Sequence, residues 1–230
     1  MSSDGIGHPE GVPDPRSDDG AFLAPLSSAD LLEVLAVSRD RGFLGPGPVE
    51  RHVEHAALMV RLCRGATSVL DLGSGGGVPG LLVAAALPQA RVVLLDSMAK
   101  RCDFLREVGP LISGRIEVVE GRAEDLARRD DLRGAFDVVT ARSFGPPSVV
   151  AECAVGFLSD AGRLVVSEPP GGAPDRWESG GLRRLGLADP LIEEDGTASA
   201  AVLMRSGPLD DMWPRRSGIP AKRPLWTAPA

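Results

Sequence analysis

The chain has 230 residues, 43% of them hydrophobic, which suits one substantial domain with a short annex and a sizeable core. No apolar run approaches the ~20 residues of a membrane span, and the N-terminus lacks a basic stretch followed by an apolar one, so neither a membrane anchor nor a secretory leader is expected. The net charge of −7 disfavours a nucleic-acid partner on its own, since phosphates call for basic surfaces.

Residues 1–20 are rich in Gly, Pro, Ser and Asp and almost free of large apolar side chains, so they are expected to be disordered. Residues 21–66 read as an N-terminal helical annex. Ser27 and Ser28 can cap a helix running through about Arg39, with Leu31, Leu32, Leu35 and Val37 on its apolar side. The stretch GFLGPGP breaks it, and a second helix is expected over about 48–63. His52 and His55 lie there as HVEH with no third ligand in view, which fits helix-surface histidines better than a metal site.

Residues 67–206 then alternate strand and helix. Strands are predicted at 68–72, 91–96, 116–120, 136–141 and 163–167, with helices at 79–87, 98–109, near 123–130 and near 147–157. A helix near 175–185 and two strands near 190–194 and 199–205 complete the series. Such alternation implies an α/β fold: a mostly parallel sheet with helices on both faces, binding ligands outside the carboxyl ends of its strands. Residues 207–230 form a basic, proline-containing ending, in which Arg215, Arg216, Lys222 and Arg223 meet no acid between 213 and 226. With Gly218 and Pro220 among them, these cations are expected along an extended strip that would suit RNA phosphates. Cys63, Cys102 and Cys153 are scattered, show no metal spacing, and suggest buried thiols in a reducing cytoplasm.

The chemistry concentrates in TSVLDLGSGGGVPG at 67–80 and in ARVVLLD, which ends at Asp96. An apolar strand ends in Asp71, glycines follow, and a helix opens. Glycine permits positive φ and lets a ligand reach main-chain N–H groups with no Cβ in the way. A carboxylate ending the next strand can accept from both hydroxyls of a ribose, so the unit reads as a nucleoside-binding βαβ. The dinucleotide fingerprint G-x-G-x-x-G fails at its sixth place, where Val78 stands. The acidic form Asp71-x-Gly73-x-Gly75-x-Gly77 resembles the first motif of class I S-adenosylmethionine methyltransferases. A carboxylate beside the loop suits a cofactor that carries an ammonium and no pyrophosphate.

Taken in order, DLGSGGGVPG, LLDSMAKRCDFLREV, VVEGRAED, FDVVTARSF and PRRSGIPAKRPL resemble the bacterial methyltransferase G family, also called glucose-inhibited division protein B. The resemblance covers most of residues 48–226. It implies a Rossmann-like class I methyltransferase fold, S-adenosyl-L-methionine as cofactor, and methylation of guanine N7 in 16S ribosomal RNA of the small subunit. It also implies that Gly73 and Val78 line the cofactor loop. Ala123 and Glu124 would contact the adenine end through backbone and side chain, and Arg142 would stand beside the cofactor, facing the substrate. The chain departs from the family where Lys-Gly often follows the fifth strand, reading Ser167-Glu168-Pro169-Pro170, and at Glu54-His55, where an aspartate-serine pair is common.

Guanine N7 carries an in-plane lone pair and no proton, so its methylation needs positioning rather than a general base. The chain has neither a Pro-Cys nucleophile nor an Asn-Pro-Pro-aromatic loop after the fourth strand. Two other readings stay open on the residues alone: a small-molecule methyltransferase, and a non-catalytic nucleotide- or ribosome-binding protein of the same fold. The oligomeric state is not legible.

Overall fold

The computed structural model describes residues 20–171 and 174–227, so the reading of 1–19 as a disordered tail lies outside the described residues. The annex opens with a short helix α1 (Gly20–Leu23), a 3-10 turn (Ala24–Ser27), and helices α2 (Ala29–Asp40) and α3 (Val49–Leu62). Ser28 caps α2, its Oγ accepting from Leu31 N at 3.4 Å. Leu31, Val34 and Leu35 face the core, whereas Val37 stays exposed, one position outside the apolar stripe.

The main unit runs β1 (Ser68–Leu72), α4 (Gly80–Ala86), β2 (Arg91–Asp96), α5 (Ala99–Ile112), β3 (Ile116–Glu120), α6 (Ala123–Leu126), β4 (Phe136–Ala141), α7 (Pro147–Val155) and β5 (Leu158–Glu168). A 3-10 turn (Pro174–Arg176), α8 (Ser179–Arg184), β6 (Leu191–Glu194), β7 (Ser199–Met204) and α9 (Ile219–Lys222) follow. One seven-stranded sheet has the order β3-β2-β1-β4-β5-β7-β6. Its first five strands are parallel, and β7 is antiparallel to both β5 and β6. The strand order reverses between β1 and β4, which places the ligand crevice above their carboxyl ends.

Differences from the expected elements have local causes. Strand β5 starts at Leu158, five residues early, because its first part pairs with Phe136 across a register shift. The helix expected near 175–185 is split, since Arg176 and Trp177 are both held by Glu168 and Glu178 caps a new helix at Gly180 and Gly181.

Side chains alternate across the sheet, and each face builds its own core. Leu70 and Leu72 join the cluster beneath α7 and α8, together with Trp177, Trp213 and Trp226. Val69 joins the opposite cluster, which contains Leu31 and Leu35 of α2 and Met59 of α3. The annex therefore packs on the sheet, and Ser38 Oγ of α2 donates to Gly76 O of the glycine loop at 2.8 Å. Among the described residues no single helix is long and apolar enough to cross a membrane; one bent pair, Ala21–Ser27 with Ala29–Asp40, passes by length and composition. All three cysteines are buried thiols.

The ending is the main correction. It is not an extended strip: it contains the helical turn α9, and Arg215 points inward. Arg215 Nε and Nη2 donate to the two oxygens of Glu152 at 2.7 and 2.6 Å, and the Glu152 side chain has no exposure. Arg128 donates to the carbonyls of Asp211, Met212 and Pro214, and Arg133 to those of Asp210 and Trp213. Arg216, Lys222 and Arg223 are exposed.

Candidate active site

The glycine loop follows β1 and packs against its own strand. Alternation puts Asp71 on the α4 side of the sheet, 1% exposed. Its Oδ2 accepts from Gly80 N at 3.1 Å and its Oδ1 from Thr140 Oγ1 at 2.8 Å, Thr140 being its register partner on β4. A Cβ on Gly80 would lie 2.7 Å from that same Oδ2, so only glycine lets α4 start so close to the strand. Asp71 thus ties strand, loop and helix together from beneath and is not in the cavity wall.

Burial pushes the Asp71 carboxyl up to about 6, against the opposing pull of its hydrogen bonds to Thr140, Ser74 and Gly80 and the charge of Arg142. An acid whose folded pKa lies above its unfolded value holds its proton more tightly in the native state. Its contribution to stability is therefore lost as pH rises from about 4 to about 6, by about 3 kcal/mol. Urea unfolding at pH 4 and pH 7 should show wild type losing that much relative to Asp71→Asn. A relative gain at pH 7 would mean that the fold favours the charged form.

Asp96 ends β2, 4% exposed. Its Oδ2 accepts from Gly75 N and its Oδ1 from Met98 N, both at 2.9 Å, and Arg101 Nη1 lies 3.6 Å from Oδ2. The carboxylate fastens the glycine loop to the next strand and keeps acceptor capacity on each oxygen. A cavity of about 370 Å³ opens above it, bordered by Gly73, Asp96, Ala123, Glu124, Phe144 and Ala221. Glu124 opens α6, with only 3% of its surface exposed. Burial pushes its carboxyl up, but hydrogen bonds from Gly218 N and Arg122 outweigh this and leave it below the usual carboxylate range. The basic ending therefore forms part of the cavity, with Gly218 on Glu124 and Ala221 in the wall.

A second cavity, about 260 Å³, lies on the other side of Gly73 and is bordered by Gly75, Val78, Arg101, Arg142 and His52. Arg142 follows β4 and is half-buried. Burial lowers its pKa while Asp71 beneath it holds the charge in place. Its Nη2 meets His52 Nδ1 at 3.4 Å, and His52 Nε2 meets Gly45 O at 3.0 Å. A guanidinium only donates, so this geometry assigns His52 an accepting Nδ1 and a protonated Nε2. The two cavities share Gly73, Arg101 and Ser143. Ser143 has φ +56°, the sole positive-φ side chain among the described residues, and such strain is held where surroundings over-determine it.

The structure thus brings Gly73, Gly75, Val78, Asp96, Ala123, Glu124 and Arg142 around two joined cavities, with Asp71 below them. It places Arg216, Lys222 and Arg223 on the nearby ending and withdraws Arg215 from it. His52, Arg101, Phe144 and Ala221 border the cavities without having been singled out for them. His52 had a sequence signal, in HVEH, but its partner lies 90 positions away. No group of three or more His, Cys, Asp or Glu that could hold a metal occurs among the described residues.

The strand order 3-2-1-4-5-7-6, with a glycine loop after the first strand and a carboxylate ending the second, defines a class I S-adenosylmethionine-dependent methyltransferase. The family model for rRNA small subunit methyltransferase G matches residues 48–168. The chain belongs to that family. The ribosomal RNA small subunit methyltransferase G of Mycobacterium marinum is 35% identical over 205 residues, covering 83% of this chain and 88% of that protein. The same enzyme of Mycobacterium sp. strain JLS is 37% identical over 130 residues, 55% of this chain and 57% of that relative, so this alignment spans little more than half of it. Among solved structures, an O-methyltransferase from Bacillus cereus in complex with SAH superposes with a TM-score of 0.53 at 18% identity, covering 77% of this chain and 90% of that one. Similarity at that level carries the fold alone.

Proposed function

We propose that the protein transfers a methyl group from S-adenosylmethionine to N7 of a guanine in 16S ribosomal RNA, acting on the small subunit in the cytoplasm. The observation that carries this reading is the pair of joined cavities at the sheet's switch point, one holding the carboxylates Asp96 and Glu124 beside Arg101 and Arg122, the other lined by Arg101 and Arg142 with no carboxylate. The cofactor fits that division of charge. Asp96 and Glu124 suit ribose hydroxyls and the adenine end, while Arg101 and Arg142 suit a carboxylate. When bound, S-adenosylmethionine supplies an electrophilic methyl on a sulfonium.

The chain's residues do the rest by positioning. Gly73 and Gly75 expose main-chain atoms to the cofactor, Ala123 and Glu124 border the adenine, and Val78 supports the loop. Arg142, touching His52 and lying in the field of the Asp71 carboxylate, suits the acceptor or its phosphate by charge-assisted hydrogen bonds. No group need accept a proton, because N7 has none to lose.

Labelled methyl transfer to small subunits lacking the modification, compared with transfer to a metabolite extract, tests the reading. Label on guanine N7 of 16S rRNA is expected; label in the extract alone would make the protein a small-molecule methyltransferase. Asp96→Ala should weaken cofactor binding by about 1–3 kcal/mol, since it removes charged hydrogen bonds and frees Gly75 N and Met98 N together. Unchanged calorimetric affinity in the folded variant would remove Asp96 from the site.

The exposed cations of the ending, Arg216, Lys222 and Arg223, suit phosphates, with Arg215 left out because Glu152 holds it. Changing these three to glutamine should flatten the log–log salt dependence of RNA binding by about 2, at roughly 0.7 per single-strand phosphate contact. An unaltered slope would place the RNA elsewhere on the surface.

A further inference from the structure

A third cavity, also about 260 Å³, lies beyond the carboxyl ends of β4 and β5 and has no role in the account above. Ser143, Phe144, Val150, Val166, Glu168 and Arg176 border it. It shares Ser143 and Phe144 with the nucleoside cavity, and Ser143 borders the cationic cavity too. The strained residue is therefore the point where all three spaces meet. Phe144 forms the partition: its Cδ2 lies 2.6 Å from where a Cβ on Gly73 would stand.

Phe144, Val150 and Val166 give the cavity its apolar side, and Ser143, Ser167 and one charged pair give it its polar side. Arg176 Nη1 donates to Glu168 Oε2 at 2.6 Å, and Trp177 Nε1 donates to Oε1 at 3.1 Å. The Glu168 side chain has no exposure, while that of Arg176 keeps 30%. Trp226 Nε1 donates to Arg176 O at 2.9 Å, so the turn carrying the pair is held from the C-terminal ending as well. A guanidinium has five N–H donors, and the bond to Glu168 leaves most of them for a ligand.

We propose that this third cavity seats the acceptor guanine, with Phe144 against the face of the base and Arg176 donating to O6, the atom next to N7. The inference rests on the reaction proposed above and adds the seat and selector of its substrate. Enzymes that act on one base take it out of its stack and hold it against apolar surface, which the half-buried Phe144 ring offers here, backed by the buried Val150 and Val166. A guanidinium beside O6 selects guanine, because adenine presents an amino donor at that position and would face donor with donor. The buried carboxylate answers a further need. Attack by the N7 lone pair on the methyl carbon breaks the sulfur–carbon bond and leaves the positive charge on the base. A lone guanidinium would oppose that charge, whereas one already neutralised by Glu168 does not. The same carboxylate argues against a phosphate in this cavity.

The test uses the full chain as wild type, Arg176→Ala, Arg176→Lys and Phe144→Leu. Calorimetric titration with S-adenosylmethionine is run beside steady-state methyl transfer to small subunits lacking the modification. Cofactor affinity should stay within about twofold in wild type and the two Arg176 variants, while Arg176→Ala should lose roughly 10- to 100-fold in kcat/KM for the subunit. Arg176→Lys should recover part of that loss, since it keeps the charge but not the fork. Phe144→Leu should act mainly through KM. If wild type is active and Arg176→Ala matches its kcat/KM, the seat is misplaced although the reaction stands. If Arg176→Ala loses cofactor affinity as much as activity, Arg176 supports the cofactor site and the proposal is overturned. If wild type puts no label on guanine N7, the reaction itself fails and takes the seat with it.

Discussion

Gly75→Val should abolish cofactor binding and leave the sheet folded. Gly75 has φ +53°, where a β-branched residue is strained by about 1–3 kcal/mol. The nearest atoms to a Cβ there are Gly73 O at 3.7 Å and Phe43 O at 4.0 Å, ordinary contact distances. Gly75 borders the cavity that Arg101 and Arg142 also line, so added bulk there competes with the cofactor. The melting temperature should fall by roughly 2–12 °C, given about 2–4 °C per kcal/mol for a domain of this size. Calorimetry should find no saturable cofactor binding. Gly76→Val is the informative contrast, because its Cβ would lie 2.5 Å from Ser38 Oγ and 2.8 Å from Phe43 O, against the annex. That variant should lose stability more than it blocks the cavity. If Gly75→Val binds cofactor normally, the loop is a structural turn.

Arg142→Ala should lower methyl transfer by roughly 30- to 150-fold, the rate equivalent of about 2–3 kcal/mol for charged hydrogen bonds made in the transition state. Its melting temperature should change little, since the guanidinium meets His52 only through a long contact of 3.4 Å. Asp71 would lose the cation that holds its carboxyl down, so its pKa should rise above that of wild type. Equal turnover in variant and wild type would remove Arg142 from the reaction.

Local order was the legible part. The run from Val69 to Asp96 declares strand, turn, helix and strand through its own periodicity, and the two strand-end carboxylates follow from it. Even the inward face of Asp71 can be read, because Val69 and Asp71 must share a side. What escaped was set by partners distant in sequence. Arg215 looks like one of four similar cations until Glu152, 63 positions earlier, turns it inward. The tryptophans at 213 and 226 were the signal that the ending is anchored, since an indole usually finds cover and a hydrogen-bond partner. Both do, on Arg184 O and Arg176 O. Glu168 likewise reads as part of a turn until Arg176 and Trp177 fold back on it.

The anchored ending has a thermodynamic consequence. One short segment touches the nucleoside cavity through Gly218 and Ala221 and carries Arg216, Lys222 and Arg223 outward. On the proposed function, the cofactor inside and RNA outside would meet one and the same segment. Linkage then demands symmetry: whatever factor the cofactor adds to RNA affinity, RNA must add to cofactor affinity. The two shifts in affinity would be a single coupling, measurable from either side.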